Sequence, residues 1–222
     1  ISQSDRTYLS ALLRYNATLQ ERNKLLKCSP SEDMLLIYDT MLSAAAETIF
    51  ARRTETIAAM QPLVEHYYGI LAEERETIGI EYRSEVQETP LMELLLQSRQ
   101  KDFVNEYTSV GLHRDDILFS IGDYPLRKFG SQGQQKSFLI ALKLAEYTLL
   151  AKSSGEKPIL LLDDLFDKLD MRRVAHLLRL VGGDMFGQIF ITDCNKHRLQ
   201  HTLSEADVEY KLINIINGKA QL

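Results

Sequence analysis

Along residues 1–27, Leu9, Leu12, Asn16, Leu19, Asn23 and Leu26 recur at alternating spacings of three and four. That is the period of an amphipathic helix with a coiled-coil seam, in which the two asparagines would set register at some cost in stability. Ser29-Pro30-Ser31-Glu32 then reads as a helix start, with Ser29 at the N-cap, Pro30 in the first helical position and Glu32 closing a capping box. A long helix follows. Met34, Tyr38, Met41 and Ala45 form one packing stripe, and Ile57, Met60, Val64, Tyr67 and Leu71 carry it past Pro62, where the helix should kink or restart. Residues 1–75 therefore predict an elongated arm of two or three antiparallel helices.

From residue 76 the period changes. Residues 77–83 read as a strand and 90–107 as a helix, while Ile117–Ile121 and Pro125–Arg127 flank Gly122-Asp123, a hairpin turn. A helix over 131–152 would bury Phe138, Leu142, Ala145 and Leu149. Pro158–Leu162 is a short all-apolar run, the pattern of a strand covered on both faces. Residues 171–181 predict a helix with Val174, Leu177, Leu178 and Val181 inward, ended by Gly182-Gly183. A second buried strand over 188–192, a helix over 195–203 and a last strand over 208–216 complete the pattern. Buried strands alternating with helices predict an α/β fold with a parallel sheet, occupying 76–222.

Composition narrows the function. The chain has 222 residues, 45% apolar and 26% charged, with only 11 Gly and 5 Pro, so it has the means to bury a sizeable core. No uninterrupted apolar run approaches the roughly 20 residues that span a bilayer, and no membrane partner is expected. A formal charge of −5 excludes a globally basic coat. Residues 1–27 nevertheless carry +3 against −8 for the remainder. That basic helix either meets phosphates or is simply solvated, and any nucleic-acid contact has to be local. Cys28 and Cys194 are too few for a disulfide framework and match no metal motif, which favours a reducing cytoplasm. Residue 1 is Ile, without an initiator Met or a signal peptide, so the chain reads as starting in the middle of something.

Two segments carry chemistry. Leu160-Leu161-Leu162-Asp163-Asp164 delivers two carboxylates at the carboxyl end of a buried strand, where open α/β sheets place ligands. In nucleotide hydrolases one such acid holds Mg²⁺ and the next positions or deprotonates water; the bland alternative is a pair that caps a turn. Gly130-Ser131-Gln132-Gly133-Gln134-Gln135-Lys136-Ser137 is not a P-loop, because Gln135 stands where Gly must precede Lys, and no such loop exists elsewhere in the chain. It does supply a hydroxyl, a glycine and free N–H groups at the positive end of a long helix, which is either an anion site or an ordinary Ser cap.

Together these segments resemble an ABC-type ATPase head. Ser131–Gln135 is similar to the signature motif, Leu160–Asp164 to the Walker B strand, and Lys168-Leu169-Asp170 to the D-loop. A fuller resemblance is to the RecF family of bacterial recombination mediators, carried by Gly111-Leu112-His113-Arg114-Asp115-Asp116, Phe129–Gln135, Ala141–Glu146 and Pro158–Asp164. Tyr15 and Gln20-Glu21-Arg22-Asn23 are similar to that family's arm. The resemblance implies a helical, coiled-coil-like arm over 1–75 and the signature and Walker B half of an ABC-type head over 76–222. It implies that Asp163 coordinates Mg²⁺, that Asp164 activates water, and that Ser131, Gln132, Gly133 and Gln134 meet the γ-phosphate of ATP held by another protomer. Asp170 would sit at the same interface, and Thr192 is the candidate γ-phosphate sensor.

Asp164 stands where transporter ATPases carry Glu, which implies slow hydrolysis. For the whole protein the resemblance implies ATP-dependent homodimerisation on double-stranded DNA, a RecR-like mediator as partner, recombinase loading at single-strand/double-strand junctions, and a bacterial cytoplasmic location. His113–Asp116 reads as a charge-satisfied turn of the signature lobe. Two rivals remain: a protein-docking module without nucleotide chemistry, and a metal-dependent phosphohydrolase using Asp163, Asp164, Asp115 and Asp116.

Overall fold

The computed structural model describes residues 1–28, 30–73, 76–163, 169–193, 195–206, 208–216 and 218–221. The chain forms two compact units, each drawn from two segments: 1–62 with 78–125, and 63–77 with 126–222. Where the sequence put a single boundary near 75, the strand that follows pairs within the first unit and brings 78–125 onto the arm helices.

In the first unit, α1 (Arg6–Leu26) starts at Asp5, whose carboxylate accepts the Tyr8 N–H at 2.9 Å. Its buried stripe is Tyr8, Ala11, Tyr15, Thr18, Arg22 and Leu26. From Tyr8 to Arg22 this runs one residue ahead of the leucine and asparagine seam expected from the period, rejoining it at Leu26, because the tyrosines and the arginine find partners for their polar ends. Helix α2 (Glu32–Ala72) begins at Ser31, whose Oγ accepts the Met34 N–H, and it continues through Pro62 rather than restarting there. The expected Ser29 cap lies outside the described residues. The buried stripe at its start is Leu35, Asp39, Leu42, Ala45, Ala46 and Ile49, while Met34 and Met41 are exposed. By length and composition α2 would qualify to cross a bilayer, with a mean hydropathy of 1.3 over 18 residues. Its Leu42, Ala45, Ala46 and Ile49 instead share a core with Tyr8, Ala11, Tyr15, Leu91, Leu95 and Leu112. Strand β1 (Ile78–Arg83) pairs antiparallel with β2 (Asp116–Ile121), which turns through Gly122-Asp123 into the short β3 (Tyr124–Pro125). Helix α3 (Leu91–Asn105) starts after Pro90 as its sequence predicts.

The polar interior of this unit centres on Arg22, which is fully buried. Its Nε donates to Asp39 at 2.7 Å, and one Nη donates to Asp102 and to Thr108 Oγ1, each at 2.8 Å. Asp39 also accepts from Arg99 at 2.8 Å, and Asp102 accepts both the N–H and the hydroxyl of Ser109. Asn23, expected to set a coiled-coil register, accepts the Thr108 N–H and hydroxyl instead.

A second network fixes 111–115. Tyr15 Oη accepts the Leu112 N–H at 3.0 Å and lies 3.2 Å from His113 Nδ1, while His113 Nε2 lies 3.1 Å from the Thr108 carbonyl. A carbonyl only accepts, so Nε2 carries the proton and Nδ1 receives the Tyr15 hydroxyl. Burial pushes the Tyr15 phenol up to about 12 and the His113 imidazolium down. Gly111 has φ +117°, and a Cβ there would sit 2.7 Å from Tyr15 Oη, so both conformation and contact require glycine. Asp115 accepts from Arg53 and from the Tyr82 hydroxyl, each at 2.5 Å. The 113–116 turn is thus charge-satisfied, within the unit that also holds α1.

The second unit contains residues 63–72 of α2, α4 (Leu126–Phe129), α5 (Gln132–Ser154), β4 (Leu160–Leu162), α6 (Met171–Val181), β5 (Ile189–Ile191) and α7 (Lys196–Ala206). A hairpin of β6 (Asn214–Ile216) and β7 (Lys219–Gln221) follows, where the sequence predicted one longer strand. β4 and β5 are parallel neighbours, as predicted. Among the described residues, the strands' two faces differ: Leu160 is buried, whereas Leu161 is 70% exposed. Tyr67, Tyr68, Phe138, Leu144 and Leu177 are fully or almost fully buried in this unit.

Two outcomes follow for the first unit. Arg22→Met strands two buried carboxylates and is expected to lower its unfolding free energy by about 3–5 kcal/mol in urea titrations; a loss within error would show that the apolar core suffices. His113 holds its proton less tightly folded than unfolded, so stability should decline as pH falls below its ordinary 6.5, and His113→Gln should flatten that slope in the same titrations.

Candidate functional site

The start of α5 is built as a reciprocal cap. Ser131 Oγ accepts the Gln134 N–H at 3.2 Å, and Gln134 Oε1 accepts the Ser131 N–H at 2.7 Å. The Gln134 side chain is further committed: its Nε2 donates to Glu76 at 2.7 Å, and Glu76 accepts the Tyr68 hydroxyl at 2.5 Å. Burial, then this carboxylate, raises the Tyr68 phenol above its ordinary value. Gln135 Nε2 donates to the Gly130 carbonyl at 2.8 Å, and a Cβ on Gly130 would stand 2.7 Å from the Leu126 carbonyl. Two side-chain amides therefore lock the turn that delivers the helix. The N–H groups of Gln132 and Gly133 are left without an intrahelical acceptor, together with the exposed Ser131 hydroxyl, at the positive end of a 23-residue helix.

The second part lies at the carboxyl ends of the parallel strands. Asp163, directly after β4, is exposed and accepts a hydrogen bond from the Thr192 hydroxyl, directly after β5. Two residues singled out separately in the sequence thus meet, at the strand ends where α/β sheets place ligands. Asp164 and Lys168 lie outside the described residues. Asp170 is the N-cap of α6, accepting the Arg173 N–H at 2.9 Å. Arg173 also donates to Ser137 Oγ in the second turn of α5 at 2.9 Å, tying the starts of α5 and α6 together. The sequence reading missed Arg173, Glu76 and Tyr68; only the Asp-x-x-Arg spacing at 170–173 offered a local signal.

Among the described residues, no group of three or more His, Cys, Asp or Glu is placed to hold a metal. Asp115 carries an ion pair with Arg53, and Asp116 accepts the Ile117 N–H, while Asp164, which the four-aspartate reading also needs, lies outside the described residues. Among the described residues, an exposed carboxylate beside a hydroxyl suits a Mg²⁺ ion that takes most of its ligands from phosphate oxygens and water.

No protein-family model matches the chain. The chain is 42% identical over 222 residues to the DNA replication and repair protein RecF of Phocaeicola vulgatus, covering 99% of this chain and 60% of that protein. It is 41% identical over 220 residues to that of Flavobacterium johnsoniae, covering 97% and 61%. The solved structure of the recombination mediator protein RecF-ATPrS in the RecFOR pathway matches with a TM-score of 0.78 at 29% identity, over 97% of this chain and 58% of that one. The RecF-ATP structure of the same pathway gives 0.76 at 31% identity, over 88% and 55%. The chain thus spans about 60% of the length of the curated relatives it matches. Its mixed helix-and-sheet architecture matches the RecF ABC-ATPase fold. By sequence along its whole length and by fold, this chain belongs to the RecF family.

Proposed function

We propose that this chain supplies the signature and Walker B portion of a RecF-type protein that works in DNA replication, recombination and repair in the bacterial cytoplasm. The observation that carries the reading is the locked start of α5. Ser131, Gln132 and Gly133 present a hydroxyl and two N–H donors, while Gln134 and Gln135 turn their amides inward to hold that geometry. Such a cradle suits the γ-phosphate of an ATP bound by a second protomer, since a helix start binds anions through N–H groups and dipole together. Asp163 would hold Mg²⁺, which on binding neutralises phosphate charge. Asp164 would orient water, and Thr192, bonded to Asp163, would report on the terminal phosphate. Asp170, fixed as the α6 cap, would stand at the same protomer contact.

In this reading ATP joins two copies on double-stranded DNA, a RecR-like mediator joins the complex, and slow hydrolysis releases it. Recombinase loading at single-strand/double-strand junctions is the outcome served. The RecF structures described with ATP and ATPrS support the nucleotide part of this reading.

In the whole protein, Ser131→Arg should abolish ATP-driven dimerisation while leaving nucleotide affinity largely intact, as read by sedimentation with and without ATP; an unchanged dimer refutes the assignment across protomers. The 222-residue chain by itself contains no P-loop and is expected to hydrolyse ATP negligibly, because positioning supplies most of phosphoryl-transfer catalysis. Robust turnover by this chain in a phosphate-release assay would overturn that expectation.

A further inference from the structure

An open cavity of about 330 Å³ lies between α1 and α2 in the first unit, lined by Arg6, Thr7, Ser10, Ala11, Arg14 and Thr48. On α1 these residues fall on one face, and the rise of about 1.5 Å per residue sets Arg6 and Arg14 about 12 Å apart along the axis, with Ser10 midway. Both arginines are exposed, and neither guanidinium has a carboxylate partner among the described residues. The contrast with the rest of α1 is sharp. Arg22 is buried with Asp39 and Asp102, and Lys24 is paired with Glu21 at 2.7 Å. The nearest acid in sequence, Asp5, is held by Arg52 at 3.1 Å, and Arg52 also takes Glu55. Of the +3 on this segment, the uncommitted charge is therefore concentrated at this cavity and at Lys27.

The lining has a specific chemistry. Two guanidinium groups and three hydroxyls all donate hydrogen bonds, and no carboxylate is among the lining residues. Guanidinium and hydroxyl donors are the set that engages phosphodiester oxygens in nucleic-acid complexes. With no amide and no aromatic ring in the wall, the site has nothing with which to read or stack a base. With Ala11 as its one apolar residue, it offers no floor for a peptide side chain.

We propose that this cavity on the arm is a phosphate-backbone site for duplex DNA, engaging two phosphates without sequence preference through Arg6 and Arg14. The proposal rests on the DNA-binding reading given above and adds where on the arm that contact is made. Counterion release makes such a site visible in the salt dependence of binding, at about 0.9 in the logarithmic slope for each phosphate neutralised.

The test is fluorescence anisotropy of the whole protein with labelled duplexes of two unrelated sequences, across a salt series. Arg6→Ala/Arg14→Ala should weaken binding roughly tenfold, equally for both sequences, and make the slope shallower by about 2. Ser10→Glu, an exposed substitution that places a negative charge in the cavity, should weaken binding likewise while its thermal melt stays parental. Parental affinity and slope in both variants would overturn the site and leave DNA binding standing. No duplex binding by the parent protein would overturn the DNA reading and this site with it. Capture of a polyglutamate peptide that needs both arginines, with duplex binding unaffected, would overturn the proposal in favour of an acidic protein partner.

Discussion

A guanidinium taken out of water costs several kcal/mol unless every charge it meets is placed to meet it, and Arg22 imposes that condition on the whole first unit. Its partners come from three places: Asp39 on α2, Asp102 on α3, and Thr108 in the loop beyond. Those partners are themselves held, Asp39 by Arg99 and Asp102 by Ser109. The surrounding core of Tyr8, Leu42, Ile49, Leu95 and Leu112 supplies non-directional attraction, which would tolerate the helices sliding past one another. The ion network does not tolerate it. A shift of one residue in α1 would remove Arg22 from both carboxylates and expose three buried charges to apolar walls.

The same residue explains why the arm was legible in outline and not in register. The period of apolar positions located α1 and α2 and their antiparallel pairing, with Tyr8 beside Arg53 and Arg22 beside Asp39. It chose the leucines for the buried stripe, because Tyr15, Thr18 and Arg22 count as polar when nothing is known of what faces them. Their acceptors and donors lie up to 98 residues away, so no local pattern contains them. Pro62 shows the converse limit. The local rule ends a helix there, but α2 runs through it. The five apolar residues of 158–162 read as a doubly covered strand, yet Leu161 in it is exposed.

At the candidate site the division falls between cap and support. Ser131 and Gln134 sit three apart, so their reciprocal bonding is a local property that the sequence carries openly. Asp163 and Thr192 stand at the ends of strands that the pattern made neighbours, and the fold brings them into contact. Glu76 and Arg173, which brace the start of α5, are 58 and 36 residues from the groups they bind. Their role follows from tertiary placement alone. The result is a helix start whose free N–H donors are local and whose rigidity is not.

The interleaving of the two units has a kinetic consequence. Arg22 can meet Asp39 early, across 17 residues, but Asp102 lies 80 residues away and Tyr15 waits for Leu112 across 97. During synthesis the arm hairpin would therefore exist for some time with half of its central charge unpaired. Residues 63–77 leave the ribosome inside that interval, although Thr148 and Gln134, which Tyr67 and Glu76 bind, lie beyond residue 125. Long-range closure of this kind slows folding and exposes apolar surface while it lasts. The first unit must close across a segment that belongs to the second, and the second waits for residues made only after the first has all of its own.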